Sequence, residues 1–275
     1  MKSGCSEVSH KKSRGGAKLL LVILVLIMGI FVAAEARYAI FRLEKLESGE
    51  PLIIDSKILW GTVSTNEERF WPLYYLNKTR HAKELERYFP VEAEIEFDSW
   101  GHFRVKITKL TPEIKMYWGN KYWYISDSGK AWLASLKENE NLNRELAENR
   151  PLLVWSSDRQ LPIGLSSGNG NIMQTSLSVS GIREWYRNIS VLGWEKDIRY
   201  IVALVKEQKP VVTLFFKNKN GGPGAQVMLV DSPDKWIEYG MAVQQIHRDM
   251  TLLSPDIFID TTYENKILIK NIKEK

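Results

Sequence analysis

The sequence predicts an α+β fold: a single N-terminal transmembrane helix, a small helix-containing sheet, and then an antiparallel-sheet domain with flanking helices. Three observations carry this expectation. Leu19 to Ala34 is an apolar run without a charge. Residues 91–97 and 103–109 alternate apolar and polar side chains with a period of two, the mark of half-buried strands. Several further β-rich segments, separated by turn residues, follow between residues 115 and 270.

The N-terminal run, LLLVILVLIMGIFVAA, is preceded by Lys2, Lys11, Lys12, Arg14 and Lys18. A bilayer span needs roughly 20 mostly apolar residues, and Lys18 can snorkel at one end. The basic flank predicts that residues 1–18 form a cytoplasmic tail, that 19–41 is the membrane helix and that the rest is extracytoplasmic. A cleaved signal peptide is the rival reading, because the basic stretch, the apolar stretch and Ala34-Glu35-Ala36 imitate its three regions. The only cysteine, Cys5, falls in the tail, so the outer part has no intrachain disulfide and no cysteine metal site. Residues 1–36 hold five basic and two acidic side chains; the remainder holds 33 against 31. The basic excess therefore belongs mainly to a short tail and does not describe a nucleic-acid-binding face.

Each outer element has its own signal. Residues 37–50 continue the helical pattern up to Gly49 and Pro51, and Leu52 to Leu59 alternates loosely as a strand. Ser64-Thr-Asn-Glu67 is a capping box opening a short helix, Pro72 interrupts it, and Thr79 to Tyr88 forms a second helix. In the strand 91–97, Val91, Ala93, Ile95 and Phe97 share one face and Glu92, Glu94 and Glu96 the other. Phe103, Val105 and Ile107 repeat the pattern after a Ser99–Gly101 turn. Lys115–Trp118 and Tyr122–Ile125 make a hairpin, and residues 134–150 an exposed helix. Ser166–Gly170 is a loop, and 181–192 another helix. Residues 199–205, 211–216 and 226–230 are strands. Ser232-Pro233 opens a helix running to about Leu253, with Trp236, Gly240, Val243, Ile246, Met250 and Leu253 along one stripe. Ile257–Ile259 and Lys266–Ile269 close the chain as strands joined through Tyr263-Glu-Asn265.

This order, an inward N-terminus and anchor followed by strand–helix–helix–strand–strand and a β-rich second half, resembles the FtsQ/DivIB family of bacterial cell-division proteins. Residues 52–110 are similar to a POTRA domain, with the β-domain at 111–271. Tyr88-Phe-Pro-Val-Glu-Ala-Glu-Ile-Glu-Phe97, Tyr122-Trp-Tyr-Ile-Ser-Asp-Ser-Gly-Lys130, Leu161-Pro162 and Ile257-Phe-Ile-Asp260 carry the likeness. Lys109-Leu-Thr-Pro112 departs from the family pattern, and the 134–150 stretch is longer than it. The resemblance implies a non-enzymatic divisome scaffold in the cell inner membrane, at the septum. It implies binding of FtsB/DivIC- and FtsL-type proteins by strand addition to the last strands. Carried over by position, the partner-binding residues are Tyr263, Asn265, Lys266, Ile267, Leu268 and Ile269. Beside this stands the plainer reading, with Ile267 and Ile269 as core and the lysines as edge guards.

No catalytic constellation emerges, and no cofactor is expected. His10, His81, His102 and His247 lack a partner at metal-ligand spacing, and there is no HExxH or GxSxG. Glu92, Glu94 and Glu96 read as a solvated strand face, and 221–224 as a turn. His102 reads as exposed and His247 as a partly exposed helix position. Trp118, Trp123 and Trp132 cluster around one hairpin, as core or as a sugar-stacking surface. The second reading of function follows from that surface: an anchored or secreted cell-wall-binding or hydrolytic protein.

Overall fold

Helix α1 (Arg14–Tyr38) is ended by Ala39, whose φ of 46° lies in the left-handed region, and the Arg42 N–H then closes a turn on the Ala39 carbonyl at 2.9 Å. The computed structural model describes residues 14–48, 54–163, 170–220, 223–264 and 266–271. The chain divides into two compact units: Met1–Gly49, Ile54–His81 and Ile95–Val105 form one, and Glu50–Ile53, Ala82–Glu94 and Lys106–Lys275 the other.

From Leu19 to Val32 every large apolar side chain of α1 is exposed. Among the described residues, no helix is long and apolar enough to cross a membrane. The uncharged run of sixteen residues would span about 24 Å at ~1.5 Å per residue, against a hydrocarbon core of about 30 Å.

Two expectations about the first unit are corrected. The helical pattern of residues 37–50 gives way to strand β1 (Lys45–Ser48), with Leu46 turned into the core. The strand expected over 52–59 is instead, over its described part, helix α2 (Ser56–Gly61). Asp55 caps it by accepting a hydrogen bond from the Lys57 N–H at 3.0 Å, which satisfies a donor that a strand would have used in a ladder. The Ser64–Glu67 capping box does open helix α3 (Thr65–Arg69). Helix α4 (Trp71–Tyr88) is one continuous helix, because Pro72 falls in its first turn, where a missing N–H costs nothing. Strands β2 (Val91–Ser99) and β3 (His102–Lys109) complete a three-stranded sheet in the order β1-β3-β2, with β1 parallel to β3. Its buried side chains include Leu46, Ile95, Phe103 and Val105.

The second unit is built on one ten-stranded sheet. Its strands are β4 (Pro112–Trp118), β5 (Lys121–Ser126), β6 (Lys130–Leu133), β7 (Leu152–Trp155) and β8 (Ile172–Gln174), followed by β9 (Ile198–Lys206), β10 (Lys209–Lys217), β11 (Pro223–Val230), β12 (Ile257–Tyr263) and β13 (Lys266–Asn271). Across the sheet the order is β13-β12-β11-β10-β9-β7-β4-β5-β6-β8. The sheet is mixed, which corrects the expected antiparallel one. Strand β7 is parallel to both β4 and β9, and β11 is parallel to β12. Parallel neighbours require crossover connections, and helices supply them. α5 (Glu145–Asn149) lies before β7, α6 (Val179–Val191) before β9 and α7 (Trp236–Ile246) before β12.

Helices α6 and α7 cover one face, where Trp185 and Trp236 stack at 5.7 Å between ring centres. Ile182, Ile189, Val212, Leu214, Val227 and Leu229 pack with them in one core. The stripe expected to run to Leu253 is buried at Val243 and Met250, but the helix stops at Ile246. His247 is extended, and Asp249 caps a separate short turn by accepting from the Thr251 N–H. The exposed helix expected over 134–150 is a 3₁₀ turn (Lys137–Asn141) followed by α5, with Asn139, Leu142 and Ala147 buried. The loop expected over 166–170 lies, but for Gly170, outside the described residues.

Candidate partner-binding edge

Among the described residues, strand β13 ends the sheet and pairs on one side only, with β12. Its antiparallel register sets Ile257 opposite Asn271, Ile259 opposite Ile269, Asp260 opposite Leu268 and Tyr263 opposite Lys266. A strand so placed leaves a row of backbone N–H and C=O groups on its outer side, the chemistry that strand addition uses.

The six residues singled out in the sequence divide by environment. Ile267 is half-buried and packs on the core shared with α6 and α7, while Leu268 is half-buried on the opposite face. Lys266 is exposed, Ile269 is 46% exposed and Tyr263 is 38% exposed. Asn265 lies outside the described residues. The edge thus offers one aromatic and one aliphatic side chain to a partner, beside exposed lysines at 266 and 270.

Tyr263 is held by an arrangement that the sequence did not announce. Lys206, at the end of β9, places its Nζ 4.9 Å from the centre of the Tyr263 ring, a cation–π contact. The same Nζ donates to Asp260 Oδ2 at 2.5 Å and to Thr262 Oγ1 at 3.4 Å. Asp260 is fully buried, and its second oxygen accepts from the Thr262 N–H at 3.0 Å and from the Thr262 hydroxyl at 2.6 Å. Burial pushes the Asp260 carboxyl up, but the hydrogen bonds from Lys206 and Thr262 outweigh it and hold the group below the usual carboxylate range. For Lys206 burial acts downward, and the Asp260 hydrogen bond and charge more than reverse it, so the ammonium is held above its ordinary range. No local pattern could have shown this, because the partners are 54 residues apart.

The three histidines among the described residues have different settings. His81 is buried, 2.9 Å from Glu67 Oε1 and stacked on Tyr74 at 4.7 Å. Glu67 also accepts from the Ser64 N–H at 2.9 Å and from Asn77 Nδ2 at 2.7 Å. Burial raises the Glu67 pKa and these bonds lower it further, to about 2. His102, expected to be exposed, is half-buried between Ser99 Oγ and Glu44 Oε2, each at 3.0 Å. His247 is the C-cap of α7. Among the described residues, no three His, Cys, Asp or Glu side chains are grouped to hold a metal ion. Trp123 and Trp132 are buried, and Trp118 packs half-buried against the core, which removes the platforms of a sugar-stacking surface. No family model matches the chain, and no curated protein matches it.

Proposed function

We propose that this chain is a membrane-anchored, non-enzymatic division scaffold of the FtsQ/DivIB kind, whose last strand takes up a strand from FtsB/DivIC- or FtsL-type partners. The observation that carries the reading is β13: it closes the sheet, pairs on one side among the described residues, and exposes Ile269 beside the braced Tyr263 at the end of β12. Binding by strand addition draws affinity from the main chain and selectivity from such side chains. The order of one strand, then helices, then the hairpin β2–β3 supports a POTRA-like reading of the first unit, with three helices, α2 to α4, where the βααββ pattern has two.

The anchor is α1, with the N-terminus cytoplasmic and the chain that follows α1 outside the inner membrane. Support comes from its apolar side chains, exposed on every face from Leu19 to Val32. An aromatic group follows at its end. Phe31 lies 5.8 Å from Phe41, and Phe41 touches Phe70 at 5.3 Å and Trp100 at 5.6 Å. Trp100 is 54% exposed and its indole N–H donates to the Ile40 carbonyl. Aromatic rings at this position suit the headgroup level and extend the short apolar run.

The test is capture of FtsB- and FtsL-type proteins by the full-length chain in detergent. Capture is expected, with loss in a Tyr263→Ala, Ile269→Pro variant that keeps the wild-type circular dichroism spectrum, since proline removes a ladder donor. Undiminished capture by that folded variant overturns the edge assignment. Where proline disturbs the fold, Tyr263→Ala alone carries the comparison.

A further inference from the structure

The opposite half of the large sheet carries a second surface, unlike the β13 edge in chemistry. A groove of about 1040 Å³ opens over β4, β5 and β7. Tyr122, Tyr124 and Leu152 line it from the sheet, and the long 134–150 connection walls it with Ala134, Ser135, Arg144 and Glu148. This wall is fastened from within. Asn139 accepts from the Trp132 indole at 2.7 Å and donates to the carbonyls of Leu133 and Ala134 at 3.0 and 2.9 Å.

The lining is strongly basic. Lys115, Lys121, Arg144, Arg150 and Arg199 meet a single acidic residue, Glu148. Glu148 is already committed: Lys115 Nζ donates to it at 2.6 Å and the Tyr124 hydroxyl donates to its other oxygen. Burial pushes the Glu148 carboxyl up, and the bonds from Lys115 and Tyr124 bring it below its ordinary range. Arg150 spends one N–H on the Glu113 carbonyl at 3.1 Å and lies 4.0 Å from the Glu113 carboxylate. Lys121 and Arg199 are exposed and have no acidic partner within 4.0 Å among the described residues. Positive charge therefore remains in excess, although the outer part of the chain is almost balanced.

We propose that this groove docks an acidic peptide segment of a partner protein, a second attachment point distinct from the strand edge. Guanidinium groups present planar forks that match carboxylates, which favours Asp and Glu side chains. The 49% exposed Tyr122 ring and Leu152 offer apolar surface between the cations. A peptide carrying acidic and apolar residues uses both features, whereas a uniformly charged polymer leaves the apolar floor unmatched. The inference stands on the groove alone and does not depend on strand addition at β13.

The test uses the full-length chain in detergent and a fluorescent peptide of alternating Glu and Leu, read by anisotropy. Its Lys-for-Glu counterpart, polyphosphate and polygalacturonate serve as competitors and controls. Saturable binding of the Glu peptide, weakened by added salt and roughly tenfold or more by Arg144→Glu with Arg199→Glu, is the expected result. A Lys121→Glu variant, altered at the exposed first residue of β5, should weaken binding in the same direction and guards against misfolding of the double variant. Equal binding of the Lys peptide, tighter binding of either polymer, or an affinity unchanged by charge reversal overturns the proposal.

Discussion

Lys206 and Asp260 form an ion pair of 2.5 Å that joins the end of β9 to β12, although two strands lie between them in the sheet. The Lys206 ammonium meets a carboxylate that is fully buried, and its Nζ lies 4.9 Å from the centre of the Tyr263 ring. The exposed aromatic of the edge is thus tied to a strand far from the edge. Under the proposed strand addition, Tyr263 would be ordered before a partner arrives, which lowers the entropy lost on binding.

Replacing Lys206 by Met leaves Asp260 buried without its cation. The expected destabilisation is about 2–4 kcal/mol, measured by urea unfolding, and partner affinity should fall as Tyr263 loses its brace. The sign of the pH dependence follows from both partners. Asp260 is depressed in the folded state, so its contribution is present above its unfolded pKa and lost as pH falls through the folded one. Lys206 is raised, so its contribution is present below its unfolded pKa and lost as pH rises through the folded one. The difference between wild type and variant should therefore be largest from about pH 4 to pH 10 and shrink on either side.

Glu67 holds the first unit together through Ser64, Asn77 and His81. Glu67→Ala strands two of those side chains and should cost about 2–3 kcal/mol in chemical denaturation. In the wild type this contribution is complete above the ordinary glutamate pKa of 4.5 and is lost as pH falls towards about 2, the folded-state pKa. Acid titration of both proteins, followed by circular dichroism, checks the convergence.

Thr213 is buried on β10, and its hydroxyl has no hydrogen-bond partner among the described residues. Thr213→Val keeps the shape and β-propensity while removing the orphaned group. Thermal unfolding should show a gain of about 1 kcal/mol.

Asn139 is the internal fastener of the groove wall. Asn139→Ala removes its bonds to Trp132, Leu133 and Ala134 and should cost about 1–3 kcal/mol. Hydrogen exchange over residues 134–150 should accelerate in the variant, and Glu-peptide binding should weaken with it.

Local pattern made much of this fold readable. The strict alternation in 91–97 and 103–107 and the Ser64–Glu67 capping box each correspond to an observed element, because one face or one cap decides them. Strand β7 escaped: Leu152–Trp155 is four apolar residues, too short to show a period, and its place between β4 and β9 arises from long-range pairing. The turn between β9 and β10 was silent too. Glu207 and Gln208 both take positive φ, 49° and 65°, without the Asn or Gly that signals such a turn. At the candidate edge, alternation identifies Lys266–Ile269 as a strand. Its position at the end of ten strands, and the brace from Lys206, depend on residues far away in the chain.

The most direct test of the central claim is amide hydrogen exchange of the full-length chain with and without an FtsB-type partner, read at residues 266–271. Strand addition predicts that these amides slow markedly in the complex while α6 and α7 keep their free rates. A complex that forms with no added protection in β13 contradicts binding at this edge.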